Sequence, residues 1–173
     1  MMKCIRSRYL HTIFLALGLS TSCLVQSAAP NQYTFTKNNN TNSSNATELK
    51  LLQHHFQQQR KLAGLSSKSI RVGDVVWSYN EGGSHSKPTI LLIHGLAGTR
   101  DNWNRVAQFL TPHYHVIIPD LPNSGDTKTP SNFDNSVPNV TSQLRQFIEA
   151  IDCEENLHVA GHSLGGSIAT VYA

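Results

Sequence analysis

The sequence is short of charge, of cysteine and of long apolar runs, and each shortage removes a class of protein. Charged residues make up 14% of its 173 positions, against roughly a quarter in ordinary globular domains. A nucleic-acid binder needs a concentrated basic face. Here 14 Lys and Arg stand against 11 Asp and Glu, and three of the basic residues, Lys3, Arg6 and Arg8, lie in the first 27 positions with no acidic residue beside them. The rest balances at 11 against 11, so no nucleic-acid partner is expected. Three cysteines, Cys4, Cys23 and Cys153, are too few and too scattered to read as a disulfide framework. His54 and His55 are adjacent and face different sides of a helix, and no Cys/His ligand spacing occurs elsewhere, so neither a metal nor a cofactor is expected. No apolar run reaches the roughly 20 residues of a membrane-spanning helix. One further absence matters most for chemistry. Ten residues follow Ser163, and none is histidine, aspartate or glutamate.

What is present begins with a processing signal. The basic start is followed by an apolar run, Ile13 to Leu19, and then by small residues up to Ala29. That order is the order of a secretory signal peptide, with cleavage expected near Ser27 and with Val25 and Ser27 as the small pair. Residues 1–27 are assigned to it. An uncleaved amphipathic anchor is the other reading of the same stretch. Leu19-Ser20-Thr21-Ser22-Cys23 resembles a lipoprotein box, with Ser20 where an aliphatic residue is preferred. Acylated Cys23 would then be the first mature residue. The chain is expected to be exported: periplasmic, an outer-membrane lipoprotein, or secreted, with membrane association through the signal or a lipid anchor.

Residues 28–47 are polar, with too little apolar surface to hold a fold, and read as a flexible linker. Asn45-Ala46-Thr47-Glu48 fits a capping box. Leu49, Leu52 and Phe56 follow at helical spacing and Gly64 can end the turn, which predicts an amphipathic helix over 48–64 packed on the edge of the fold. From residue 69 onward the pattern alternates. Ser69–Val72 and Val75–Tyr79 flank Gly73-Asp74 as a hairpin. Three apolar runs, Thr89–Ile93, His115–Ile118 and Leu157–Ala160, alternate with helical stripes at Trp103, Val106, Ala107 and Leu110 and at Val137 through Ile151. Strands apolar on both faces, separated by helices, predict an α/β fold with a mostly parallel sheet flanked by helices.

The end of the third run carries the chemistry. Gly161-His162-Ser163-Leu164-Gly165 is a G-x-S-x-G pattern, with a strand before it and a helix after it. That context projects a serine from a sharp strand-to-helix turn, where Gly161 and Gly165 allow helix and strand to cross closely. Ser163 is the candidate nucleophile. The Leu164 N–H lies at a helix N-terminus, a natural receptor for a developing oxyanion. The first run ends in His94-Gly95, which makes the Leu96 N–H the candidate second donor. His94 is expected to brace that loop, with Gly95 as its tight turn and His162 beside the nucleophile.

These motifs, in this order, resemble the α/β-hydrolase fold family. The resemblance runs from about Ile70 to Ala173 and takes in HGLAGTRDNW, the segment DLPNSGDT at Asp120–Thr127, and GHSLGG. The wording is similar to secreted or membrane-associated bacterial esterases and lipases. Asn123 stands where such proteins usually carry glycine, and asparagine tolerates the left-handed conformation. The resemblance implies acyl transfer to Ser163 from a small-molecule ester or lipid. It also implies an acid and then a histidine later in the chain, and no position here matches either. Residues 69–173 are accordingly read as the N-terminal half of such a domain, expected to be inactive alone. The alternatives are a non-catalytic truncated relative, or another serine hydrolase of the same family: a C–C hydrolase, thioesterase or perhydrolase.

Overall fold

The computed structural model describes residues 12–13 and 41–173. The expected signal peptide, residues 1–27, lies outside the described residues, except for Thr12–Ile13. So do Cys23 and positions 28–40 of the linker. Eleven elements follow in order: β1 (Thr12–Ile13), α1 (Thr41–Leu62), β2 (Leu65–Val72), β3 (Val75–Gly82), β4 (Thr89–Ile93), a 3₁₀ turn (Arg100–Trp103), α2 (Asn104–Leu110), β5 (His115–Pro119), α3 (Val137–Ala150), β6 (Leu157–Gly161) and α4 (Leu164–Tyr172).

The sheet runs β1-β6-β4-β5-β3-β2. β4 pairs in parallel with β5 and β6, β6 pairs in parallel with β1, and β3 is antiparallel to both β5 and β2. The three apolar runs of the sequence are thus the adjacent parallel strands at the centre. Their side chains alternate between two cores. Leu91, Ile93, Ile117 and Val159 pack with Leu144, Phe147 and Ile148 of α3 and Ile168 and Ala169 of α4. Ile90, Leu92, Val116 and Ile118 pack on the other face with Ala107 of α2 and with Ala63. Trp77 stacks on Phe147 at 4.8 Å, and Tyr79 meets the same ring edge-on at 5.2 Å. A strand buried on both faces has no polar side to show, which explains why these runs are continuous rather than alternating.

The hairpin is longer than its apolar pattern predicts. Its ladder extends to Leu65↔Gly82, through the exposed Ser66, Ser67 and Lys68. The two-residue turn holds Gly73 at φ 56°.

Two helices differ from expectation. α1 starts at Thr41, so 41–47 is helical rather than linker. Asn, Ser and Thr each cost at most about 0.7 kcal/mol relative to alanine in a helix, so a helix formed downstream extends through them. The α1 stripe is not packed along its length either. Leu49 and Leu52 are 56% and 49% exposed. The helix docks by its last turn, where the Arg60 guanidinium grips Asp101 with Nε–Oδ1 at 2.6 Å and Nη2–Oδ2 at 2.5 Å. The second difference is at α2. Its approach is a 3₁₀ turn capped by Thr99, whose side chain accepts from the first turn while Asn102 returns a bond to the Thr99 N–H at 2.6 Å. Val106, expected on the buried face, is 44% exposed. The tighter winding of the 3₁₀ turn rotates the helical stripe that follows it. Among the described residues no helix is long and apolar enough to cross a membrane.

Candidate active site

β4 and β6 lie side by side in parallel and end together at Ile93↔Gly161. Both candidate loops therefore leave the sheet at the same edge. After Gly161 the chain reverses within two residues into α4. Ser163, at the corner, holds φ 54° and ψ −120°. A side chain with a Cβ avoids this region, and such strain costs of order 1–3 kcal/mol.

The surroundings enforce the turn. The His162 N–H donates to the Ile93 carbonyl at 3.1 Å, tying the elbow to β4. The Gly165 N–H donates to His162 O at 2.9 Å, and the Gly166 N–H to Ser163 O at 2.8 Å. A Cβ on Gly161 would run into the backbone of Gly165, and one on Gly165 would lie 2.6 Å from the His94 carbonyl oxygen. The spacing of the two glycines is therefore set by one crossing: the first turn of α4 passes over the ends of β6 and β4 with no room for a methyl group.

Ser163 is exposed, and its hydroxyl makes no hydrogen bond among the described residues. The neighbouring loop comes within van der Waals distance. A Cβ placed on Gly95 would sit 3.1 Å from the Ser163 Cβ and 3.1 Å from His162 Nδ1. Beyond Gly95 the chain turns back, with the Gly98 N–H bonded to Gly95 O at 3.1 Å and Ala97 at φ 58°. The Leu96 and Leu164 N–H groups donate to no acceptor among the described residues. Leu96 itself is 81% exposed. Two undirected amides thus flank an unencumbered serine hydroxyl, one of them at the positive end of a helix.

His94 is buried beneath this loop. Its Nδ1 lies 2.8 Å from Gly95 O, and its Nε2 receives the Leu121 N–H at 2.9 Å. Those partners require a neutral ring protonated on Nδ1. Burial pushes the His94 pKa below its ordinary value, against the opposing pull of the Gly95 carbonyl and the Asp120 charge. Both ring nitrogens are engaged, so His94 has none to offer Ser163. His162 is exposed beside Gly95. His115 is held by Glu81, and His158 meets the Tyr114 ring at 5.6 Å. None of these makes a hydrogen bond to Ser163.

Asp120, the residue just past the end of β5, is fully committed. It accepts the Arg100 N–H at 2.7 Å and the Asp126 N–H at 2.9 Å, and it pairs with the Arg100 guanidinium. Its carboxylate occupies the place that a Cβ on Gly125 would need, and Gly125 stands at φ 53°. Asn123 adopts φ 60° in the same loop, and its side chain bonds Asn135 and Thr129. Arg100 is 6% exposed and also reaches Asn80 at 3.2 Å and Asp126 at 2.5 Å. This ion network beneath the site has no sequence signal, because a charged residue in a polar loop reads as surface.

The expectation of no ligand cluster does not hold. Glu81, His85 and His115 bring one donor atom each within 4.8 Å of one another. β3–β5 pairing unites positions 34 residues apart, which local spacing does not reveal.

A family model described as the alpha/beta hydrolase fold matches residues 88–173. Together with the parallel sheet and the elbow, this decides the matter. The chain belongs to the α/β-hydrolase family. Within that family it is 36% identical to lipase 1 of Psychrobacter immobilis over 135 residues, covering 77% of this chain and 42% of that one. It is 29% identical to a monoacylglycerol lipase of Homo sapiens over 125 residues, 71% of this chain and 37% of that one. Among solved structures, the lip1 protein of Acinetobacter baumannii AYE is 64% identical with a TM-score of 0.69, over 70% of this chain and 40% of that one. A membrane phospholipase A is 40% identical with a TM-score of 0.69, over 75% of this chain and 43% of that one. The chain thus spans about two fifths of the length of the α/β-hydrolases it matches.

Proposed function

We propose that this chain carries the nucleophile and oxyanion hole of a serine ester hydrolase acting on lipid-like substrates. The observation that carries the proposal is the backbone of Ser163. A strained non-glycine residue is held between β6 and α4 with its hydroxyl exposed, beside two amides that donate to no acceptor among the described residues. Strain of this kind persists where the surrounding structure over-determines it and where chemistry uses it.

In the proposed reaction the Ser163 Oγ attacks the carbonyl carbon of an ester. The carbonyl oxygen gains negative charge and is received by the Leu96 and Leu164 N–H groups, each such donor contributing roughly 10²–10³ in rate. The tetrahedral intermediate expels the alcohol and leaves an acyl-serine. Water then attacks the same carbonyl, and the carboxylic acid departs. A histidine takes the serine proton and returns it to the leaving alcohol, and an acid orients that histidine. No described residue holds either position, and the relatives extend well beyond the matched region. We assign both roles to sequence outside this chain. Substrate class rests on the relatives, described as lipases and a phospholipase A. Export, and membrane association through the signal or an acylated Cys23, rest on the basic and apolar start of the sequence.

The test is hydrolysis of p-nitrophenyl esters. Residues 1–173 alone should be inactive, whereas a chain extended to the length of the relatives should turn over and lose that turnover on Ser163→Ala. Unchanged turnover in the extended Ser163→Ala protein would refute the nucleophile. Turnover by residues 1–173 that Ser163→Ala abolishes would refute the assignment of base and acid to sequence outside this chain.

A further inference from the structure

At the opposite end of the sheet from Ser163, β3, β5 and the β3–β4 loop build a second polar cluster. The distance follows from register. His115 pairs with Thr89 at the start of β4, whereas the active-site loops leave after Ile93. Four residues of strand separate the two by roughly 13 Å.

Glu81 pairs with Ile117, so His115, two residues back, projects from the same face as a diagonal neighbour. Its Nε2 lies 2.8 Å from Glu81 Oε1. His85, in the loop, brings its own Nε2 to 3.3 Å from the same oxygen. The two imidazole rings are 4.1 Å apart between centroids. Three donors from three different segments thus converge on one point.

We propose that Glu81, His85 and His115 form a binding site for a divalent cation of zinc-like softness. Two imidazole nitrogens and one carboxylate oxygen are a common zinc donor set. Metal–ligand bonds of about 2.0–2.2 Å in a tetrahedron put the donors roughly 3.3 Å from each other. The Glu81 oxygen already stands 2.8 and 3.3 Å from the two nitrogens, and with all three donors within 4.8 Å of one another a rotation of the exposed His85 side chain is what would bring the two imidazole nitrogens to that figure.

The second shell also fits. Ligating histidines are held by a partner on the other ring nitrogen. His115 Nδ1 faces Thr89 Oγ1 at 3.5 Å and Cys153 Sγ at 3.8 Å, which leaves Nε2 for the ion. Cys153 therefore stands behind the ligand and outside the coordination shell. The site is open on one side, where His85 is 75% exposed, so water can complete the tetrahedron. Lys68 competes for the same carboxylate. Its Nζ is 2.6 Å from the other oxygen, Oε2, but its side chain is 48% exposed and free to withdraw into solvent. A bound ion would clip the loop between β3 and β4 to the end of the sheet, away from the reacting serine.

The experiment is calorimetric titration of the full chain with zinc chloride. One ion should bind per chain. His85→Ala, at a position too exposed to carry the fold, should weaken binding at least tenfold, and Glu81→Gln should do the same. A His54→Ala, His55→Ala double variant should bind as the parent does. Cobalt in place of zinc should give a ligand-field band without a thiolate charge-transfer band. No saturable zinc binding, equal affinity in His85→Ala, loss in the α1 histidine variant instead, or a thiolate band would each overturn the assignment.

Discussion

Two adjacent glycines in α4 should respond to the same substitution with opposite signs. Gly165→Ala introduces a methyl group 2.6 Å from the His94 carbonyl oxygen and 2.8 Å from the Ile93 carbonyl carbon. These are backbone atoms at the end of the central strand, where Ile93 pairs with Gly161 and accepts the His162 N–H, and neither can rotate away as a side chain would. The helix must lift from β4. Overpacking of this kind costs typically 1–3 kcal/mol, and contact with fixed backbone places Gly165→Ala at the upper end, about 3 kcal/mol. At Gly166 the nearest atom to the new methyl group is Gly161 O at 3.5 Å, ordinary van der Waals contact. There the loss of glycine's backbone freedom dominates, and Gly166→Ala should stabilise the chain by about 0.5–1 kcal/mol. Urea unfolding followed by tryptophan fluorescence measures both. With a slope of about 1–3 kcal/mol per molar, the midpoints should move by roughly 1–3 M downward and by roughly 0.2–1 M upward. Two destabilised variants of similar size would refute the argument, because they would mean that glycine is required at both positions for a reason other than the crossing of α4 over β4.

Ser163→Gly should raise stability while removing the proposed nucleophile. Relief of φ 54°, ψ −120° returns of order 1–3 kcal/mol against glycine's extra entropy of about 0.5–1 kcal/mol, so thermal unfolding should shift upward; an unchanged or lower midpoint would show that the elbow is not strained. His94 should make stability fall with acid. Its pKa is depressed in the fold, chiefly by burial. Above pH of about 6.5 the ring is neutral in both states, and below it the unfolded chain takes up a proton that the folded ring resists. His94→Gln removes that term, so the stability gap between parent and variant should narrow from pH 7.5 to pH 5.5, and a gap that stays constant or widens would contradict the neutral brace.

The central sheet was legible because burial on both faces writes itself as apolar runs. Thr89–Ile93 is both the predicted and the observed strand, and α3 starts at Val137 as its stripe predicts. The elbow was legible because helix-over-strand crossing leaves glycines at fixed offsets from the serine. The outer ends of the hairpin were not, since Ser66, Ser67 and Lys68 are held by ladder bonds and carry no apolar alternation. Nor were the Arg100 ion network and the Glu81–His85–His115 cluster. Both bring together polar and charged residues far apart in the chain, and hydropathy reads each member as surface. The exposure of Leu49 and Leu52 was hidden for the converse reason: spacing says which residues share a helix face, and nothing about whether anything lies against it.

The strand order also carries a cost in time. β4 is flanked by β5 and β6, both made after it, and about 60 residues of chain separate its end from the start of β6. At the usual pace of synthesis, roughly 5–20 residues per second, the uncharged, strongly β-forming segment TILLI waits some 3–12 s with one edge unpaired. β5 covers one edge when it emerges, and until β6 follows the other edge can pair with any extended strand, including the same segment on a neighbouring chain. The geometry that later sets Ser163 beside the Gly95 loop therefore exposes the newborn chain to association. A holding chaperone that masks residues 89–93 should raise the soluble yield more than any improvement in the finished core.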